Sequence, residues 1–180
     1  LVSSSAASDV YKRQVDEVMT VNHLDDYRLF RNKLEQAERI AIIGPGLIGC
    51  EFANDLSQLE KQISVIGPDA WPISTLLPEQ SGLFLQQKLQ QIGIQFYLQN
   101  TVQSVDKADS SYRLTLKDGR QLEADLVLSA VGLRANIELA QDNQIVTSKG
   151  IITDRFLRSS VENIYALGDC AEVNGYHLPF

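Results

Sequence analysis

Residues 39–53 read RIAIIGPGLIGCEFA, and the order of residue types in this stretch decides the fold. Ile40, Ala41, Ile42 and Ile43 form a short run with no polar interruption, the pattern of a strand buried on both faces of a parallel sheet. Glycines follow at 44, 46 and 49, and apolar residues then recur at helical spacing at Ile48, Phe52, Leu56 and Leu59. A strand that passes through G-x-G-x-x-G into a helix is the opening of a dinucleotide-binding βαβ unit. Gly44 permits the tight turn, Gly46 lets the backbone approach a pyrophosphate, and Gly49 lets helix and strand pack closely. Leu47 and Ile48 occupy the first helical positions, where free N–H groups and the positive end of the helix dipole meet the phosphates. The plainer alternative is a glycine-rich turn that serves packing alone.

The flanking sequence repeats the alternation. Upstream, Asn22 is a good helix N-cap, Asp25 and Asp26 suit the first turn, and Leu24, Tyr27, Phe30 and Leu34 share a face. Downstream, residues 62–66 form the next strand. Leu85, Leu89 and Ile92 mark a helix ended by Gly93, and residues 94–98 form another strand. This βαβαβ order predicts a Rossmann-like α/β domain with a parallel sheet and right-handed crossovers. Residues 102–105, 112–116 and 121–123 are short alternating segments separated by turn residues, as in an antiparallel meander. Residues 125–130 are apolar again and supply a return strand.

Composition narrows the function classes. The chain has 180 residues, a net charge of −7 and 44% hydrophobic residues, the profile of an ordinary globular protein. No apolar run reaches the roughly 18 residues that suggest a membrane span. The acidic balance argues against nucleic acid, since few surplus cations exist to displace phosphate counterions. Cys50 and Cys170 are far apart and no CxxC or Cys/His cluster occurs, so no metal site or redox pair is indicated and a reduced, cytoplasmic setting is expected. His23 and His177 are isolated and read as incidental surface residues. Residues 1–14, LVSSSAASDVYKRQ, lack the pattern of a signal peptide, resemble a translated adaptor, and are set apart from the fold.

The choice of nucleotide rests on the end of the second strand, where an acid ordinarily bonds the ribose hydroxyls of NAD. Gly67 stands there, with Asp69 two residues on; Asp69 either serves that role or is a turn residue after Pro68. No Arg or Lys lies between Ser64 and Pro78, so a 2′-phosphate would find no local counter-charge and NAD is favoured over NADP. A second constellation is IYALGDCAEV at 164–173: an apolar strand running into Gly168-Asp169 and then toward a helix that Asp169 would cap.

GPGLIGCEFA (44–53), LSAVGLRAN (128–136) and IYALGDCAEV (164–173) together resemble the pyridine nucleotide–disulfide oxidoreductase family, over nearly the whole chain from Val15. VNHLDDYRLFR (21–31), GLIGCEFANDL (46–56) and ALGDCAEVNG (166–175) resemble the branch that reduces rubredoxin. The resemblance implies a flavoprotein with FAD in one doubly wound domain and NAD in a second inserted into it. Residues 15–133 would then be the NAD(H)-binding domain and 134–180 a truncated piece of the FAD-binding domain. The implied activity is transfer of a hydride from NADH to FAD and onward to an electron-acceptor protein such as rubredoxin. The resemblance also implies that Glu51 lies near the nicotinamide, the alternative being a first-turn glutamate that complements the helix dipole. Gly132 would lie where the chain passes the dinucleotide, and Gly168 and Asp169 would hold the FAD ribitol and pyrophosphate. The cofactors supply the reactivity in such enzymes, so no catalytic acid, base or nucleophile is nominated. Pro45 and Gly67 depart from the family's usual residues, and the family's N-terminal FAD fingerprint does not occur in this sequence.

Overall fold

The computed structural model describes residues 5–7 and 18–177. The chain divides into two compact units, one ending at Val131 and the other taking up from Gly132. Of the tail set apart above, Ser5–Ala7 forms β1, and the rest lies outside the described residues.

In the unit ending at Val131, α1 (Leu24–Leu34) leads to β2 (Arg39–Ile43), α2 (Leu47–Ser57), β3 (Gln62–Ile66), α3 (Glu79–Gln91) and β4 (Gln95–Tyr97). An antiparallel meander of β5 (Val102–Ala108), β6 (Ser111–Leu116) and β7 (Gln121–Ala124) follows, and β8 (Leu126–Ser129) returns to the first sheet. That sheet is wholly parallel, in the order β4-β3-β2-β8. It is the Rossmann-like α/β arrangement that the βαβαβ reading predicts. The order reverses between β2 and β8, and the crevice beyond the carboxyl ends of two such strands is where doubly wound sheets take ligands. Ile43 and Ser129 pair at those ends.

Side-chain alternation explains why both faces are covered. Ile40 and Ile42 of β2, with Leu126 and Leu128 of β8, pack among Phe30, Leu34, Ala53, Leu56 and Leu89 of the helices. Ala41, Ile43 and Val127 face the other way, onto Val105, Leu114 and Leu116 of the meander. Each Ile, Leu, Val or Phe among them contributes about 1.5–3 kcal/mol on full burial. The outer edge of β8 is not left bare, because Met19 N donates to Val127 O and Met19 O accepts from Ser129 N, an arrangement that bars edge-to-edge pairing.

Three local readings are corrected. The cap of α1 is His23, not Asn22: its imidazole accepts from Asp25 N, while Asp26 accepts from the backbone N–H of His23 and of Asn22. His23 is therefore structural, and the chain enters the helix one residue later than its best capping side chain suggests. On that helix Phe30 and Leu34 are buried, whereas Leu24 and Tyr27 are exposed. The face that α2 buries is Gly49, Cys50, Ala53 and Leu56, while Leu59 lies past the helix and is exposed. At Gly49 only glycine fits, because a side chain there would meet the carbonyl oxygen of Gly44.

In the other unit, β9 (Leu133–Ala135) pairs antiparallel with β1, and α4 (Glu138–Asp142) precedes β10 (Ile151–Thr153). The segment expected as a strand before Gly168 makes a single bridge, Arg158 to Tyr165. A 3-10 turn over Gly168–Cys170 passes directly into β11 (Ala171–Val173), parallel to β10. The helix expected after Asp169 is thus replaced by a turn and a strand, and Asp169 caps nothing there. Pairing with β10 claims the backbone that a helix would have used.

Candidate functional site: a glycine loop at the sheet switch point

The loop between β2 and α2 is shaped by three glycines with different surroundings. Gly44 has φ +115°, a region L side chains avoid, and a Cβ there would lie 2.3 Å from the carbonyl oxygen of Ala130, just beyond β8. Gly49 abuts the loop itself: its Cβ would lie 2.0 Å from Gly44 O. Gly46 differs. Its φ is −73°, which any residue adopts, and a Cβ would meet nothing within 4 Å. Its missing side chain relieves no contact in the protein and leaves open space at the helix start.

Gly46 is also the N-cap of α2, and no side chain caps that helix among the described residues. The first N–H groups of a helix lack intrahelical partners, so those of Leu47 and Ile48 are available to an anion with the helix dipole behind them. Leu47 and Ile48 are half-buried, and Gly44 and Gly49 are buried. An open, uncapped helix start between two tightly packed glycines fits a bound pyrophosphate. The packing alternative accounts for Gly44 and Gly49 but not for Gly46.

The loop is held before any ligand arrives. Gly44 N donates to Ile66 O at 2.8 Å, and Ile73 N donates to Pro45 O at 2.8 Å. Cys50 Sγ donates to the same carbonyl at 3.4 Å. Burial pushes the Cys50 thiol up to about 12, so it is a protonated donor in the core and no nucleophile. At the end of β8, the buried Ser129 hydroxyl is the one buried side-chain polar atom without a hydrogen-bond partner among the described residues, and nothing in the sequence pattern had singled it out.

The remaining sequence-predicted residues fall as follows. Glu51 is exposed and lies beyond the first turn of α2, which holds no acid; a dipole role fades past that turn. Asp69 is half-buried in the loop after β3. Its carboxylate accepts from Ser74 Oγ and its carbonyl accepts from Gln99 N at 3.0 Å, which is more than a free turn residue would show. Gly132 has φ +102° and Gly168 φ +76°, and a Cβ on either would meet nothing within 4 Å. Asp169 is half-buried, and its carbonyl pairs with His177 Nε2 at 3.0 Å, so His177 is not incidental. No cluster of three or more metal-ligating side chains exists among the described residues, nor a helix long and apolar enough to cross a membrane.

Comparison with known proteins follows the same lines. The chain is 47% identical over 169 residues to the rubredoxin-NAD(+) reductase of Acinetobacter baylyi, covering 92% of this chain and 43% of that protein. It is 41% identical over 164 residues to the nitric oxide reductase FlRd-NAD(+) reductase of Vibrio vulnificus, covering 91% and 43%. It therefore spans less than half the length of the curated relatives it matches. Among solved structures, the water-forming NADH oxidase from Lactobacillus brevis bound to NADH superposes with a TM-score of 0.90 at 24% identity, over 98% of this chain and 41% of that one, a likeness of fold. The family model described as pyridine nucleotide-disulphide oxidoreductase matches residues 8–178. With that match spanning both the glycine loop and the Gly168-Asp169 turn, the chain belongs to the pyridine nucleotide-disulphide oxidoreductase family.

Proposed function

We propose that this chain supplies the NADH-binding part, and a portion of the FAD-binding part, of a reductase that passes electrons from NADH through FAD to a carrier protein such as rubredoxin. The observation that carries the reading is Gly46: an open, uncapped helix start at the switch point of a parallel sheet, with φ −73° and nothing within 4 Å of its absent side chain. Relatives named rubredoxin-NAD(+) reductase and FlRd-NAD(+) reductase support the acceptor class.

In this reading residues 15–133 bind NADH and residues 134–180 belong to the FAD-binding domain. Gly44, Gly46, Leu47, Ile48 and Gly49 cradle the pyrophosphate, Asp69 faces the adenosine ribose, and Glu51 and Gly132 lie toward the nicotinamide. Gly168 and Asp169 hold the flavin's ribitol and pyrophosphate; the left-handed, open backbone at Gly168 suits close approach of a ligand. Bound together, the two cofactors supply hydride transfer from nicotinamide to flavin. This chain's share is alignment. Its amides fix the pyrophosphate at the middle of the dinucleotide, and the loop's bonds to Ile66 and Ile73 keep those amides in place.

The test is stopped-flow reduction of the full-length protein by NADH, followed by mixing with rubredoxin. Flavin bleaching by NADH and rapid reoxidation by rubredoxin are expected. Bleaching without acceleration by rubredoxin would reject the acceptor, and no bleaching would reject the reductase.

A further inference from the structure

Pro45 and Gly67, the two departures noted in the sequence, are one contact in the structure. A Cβ on Gly67 would lie 2.1 Å from Pro45 Cδ and 2.5 Å from Cγ, with Pro45 N at 3.4 Å. Ring atoms closed onto the backbone cannot swing aside as the tip of a flexible side chain does. Gly67 is buried and is not among the glycines with positive φ, so space, and not backbone freedom, is what glycine provides there.

Neither partner is free to withdraw. Pro45 O accepts from Ile73 N at 2.8 Å and from Cys50 Sγ at 3.4 Å. Gly67 N donates to Tyr97 O at 3.2 Å, and Gly67 O accepts from Asn100 N at 3.0 Å. Residue 67 follows β3 directly, the place from which an acid ordinarily reaches the ribose hydroxyls of NAD. Resting on the reading of the glycine loop as the NADH site, we propose that Pro45 is a specificity-determining residue: it fills the space of a side chain at position 67, bars an acid there, and leaves discrimination between NADH and NADPH to Asp69.

Asp69 suits that task. It is the first carboxylate after β3, Ser74 Oγ orients it, and Gln99 N ties down its backbone carbonyl. A carboxylate bonds the 2′-hydroxyl of NADH and repels the 2′-phosphate of NADPH. Selectivity is then a property of the pair at 45 and 67. An acid at 67 is accommodated only after the proline is replaced by a smaller, open-chain residue.

The experiment is calorimetric titration of the full-length protein with NADH and with NADPH, alongside thermal melting. The proteins are the wild type, Asp69→Asn, Gly67→Asp, Pro45→Ala, and the double variant Pro45→Ala/Gly67→Asp. The wild type is expected to prefer NADH, and Asp69→Asn to reduce that preference about tenfold, the weight of one charge-assisted hydrogen bond. Gly67→Asp alone is expected to melt lower than the wild type and to bind both nucleotides more weakly. The double variant is expected to regain the melting temperature of Pro45→Ala and to prefer NADH about tenfold more strongly than the wild type. Gly67→Asp behaving as well as the double variant would overturn the proposal, as would a double variant that melts no higher than Gly67→Asp or an unchanged preference in Asp69→Asn. A folded wild type that binds neither nucleotide would overturn the site reading itself, and the inference with it.

Discussion

Alanine at Gly44 and alanine at Gly46 add the same methyl two positions apart in one loop, and opposite results are expected. At Gly44 the new Cβ would sit 2.3 Å from Ala130 O, where contacts under 3.0 Å are essentially never tolerated, so one backbone must move by about 0.7 Å. Such movement strains two sheet bonds, Ala130 N to Ile43 O at 2.7 Å and Gly44 N to Ile66 O at 2.8 Å. Overpacking costs about 1–3 kcal/mol, and holding alanine at φ +115° adds about 1–2 kcal/mol. Together that lowers the melting temperature by several degrees, the shift per kcal/mol shrinking as the unfolding entropy grows with chain length. At Gly46 no contact forms and φ is already −73°. The smaller entropy of the unfolded alanine chain favours folding by about 0.4–1 kcal/mol, and alanine's poorer N-capping opposes it by a similar amount. Stability should therefore stay within about 1 kcal/mol of the parent, while the methyl enters the space left for a pyrophosphate and weakens NADH binding at least about tenfold. Scanning calorimetry and NADH titration of the full-length variants measure both quantities. Equal melting losses in the two variants, or undiminished NADH affinity in Gly46→Ala, would refute the assignment.

Other outcomes follow from the core and the ion pairs. Phe30 is 1% exposed and meets the Phe52 ring edge-on at 5.4 Å, so Phe30→Ala should cost about 3–5 kcal/mol in urea unfolding, against less than about 0.5 for alanine at exposed Leu29. Asp125 accepts from the guanidinium of Arg39 and from the backbone N–H groups of Arg39 and Glu38, which hold its carboxyl below the usual range, Arg39's side chain most of all. A depressed folded pKa gives stability that is present above the unfolded value of about 3.9 and lost as pH falls through the folded one. Asp125→Asn should thus cost about 1–2 kcal/mol at pH 7, a gap that closes in melts below about pH 4. Peptide mapping after thiol labelling at pH 8 should find Cys50 unmodified in the native protein and labelled once it unfolds, because burial pushes that thiol up to about 12; rapid native labelling would place it outside the core.

The parallel sheet was legible because β2 and β8 are short, mainly apolar runs; β3 falls on the very residues the pattern marks, and β2 takes in the whole apolar run 40–43 together with Arg39. Spacing identified α2, the burial of Leu56 and the packing of Phe52 against the core, but missed that Gly49, Cys50 and Ala53 complete the buried face, since periodicity weights large residues. The cap of α1 escaped because an imidazole is an uncommon capping acceptor and Asn22 a common one. The turn at Gly168 escaped because a glycine-aspartate pair suits a helix start and a tight turn alike, and only the long-range pairing with β10 decides between them. The glycine loop could be read because its spacing is local. The Pro45–Gly67 contact joins the ends of two neighbouring strands, and the unpartnered hydroxyl of Ser129 depends on what surrounds β8, so neither leaves a trace in any single stretch of chain.

Met19, bridged to Leu128 along the outer side of β8, carries a last consequence. Because Met19 runs parallel to β8 and bonds to Val127 and Ser129, the chain ahead of α1 is stitched into the same sheet as the chain after the meander. Any segment cut to run from Met19 to Val131 would carry the glycine loop with all of its bracing, since Ile66, Ile73 and Ala130 lie between those residues.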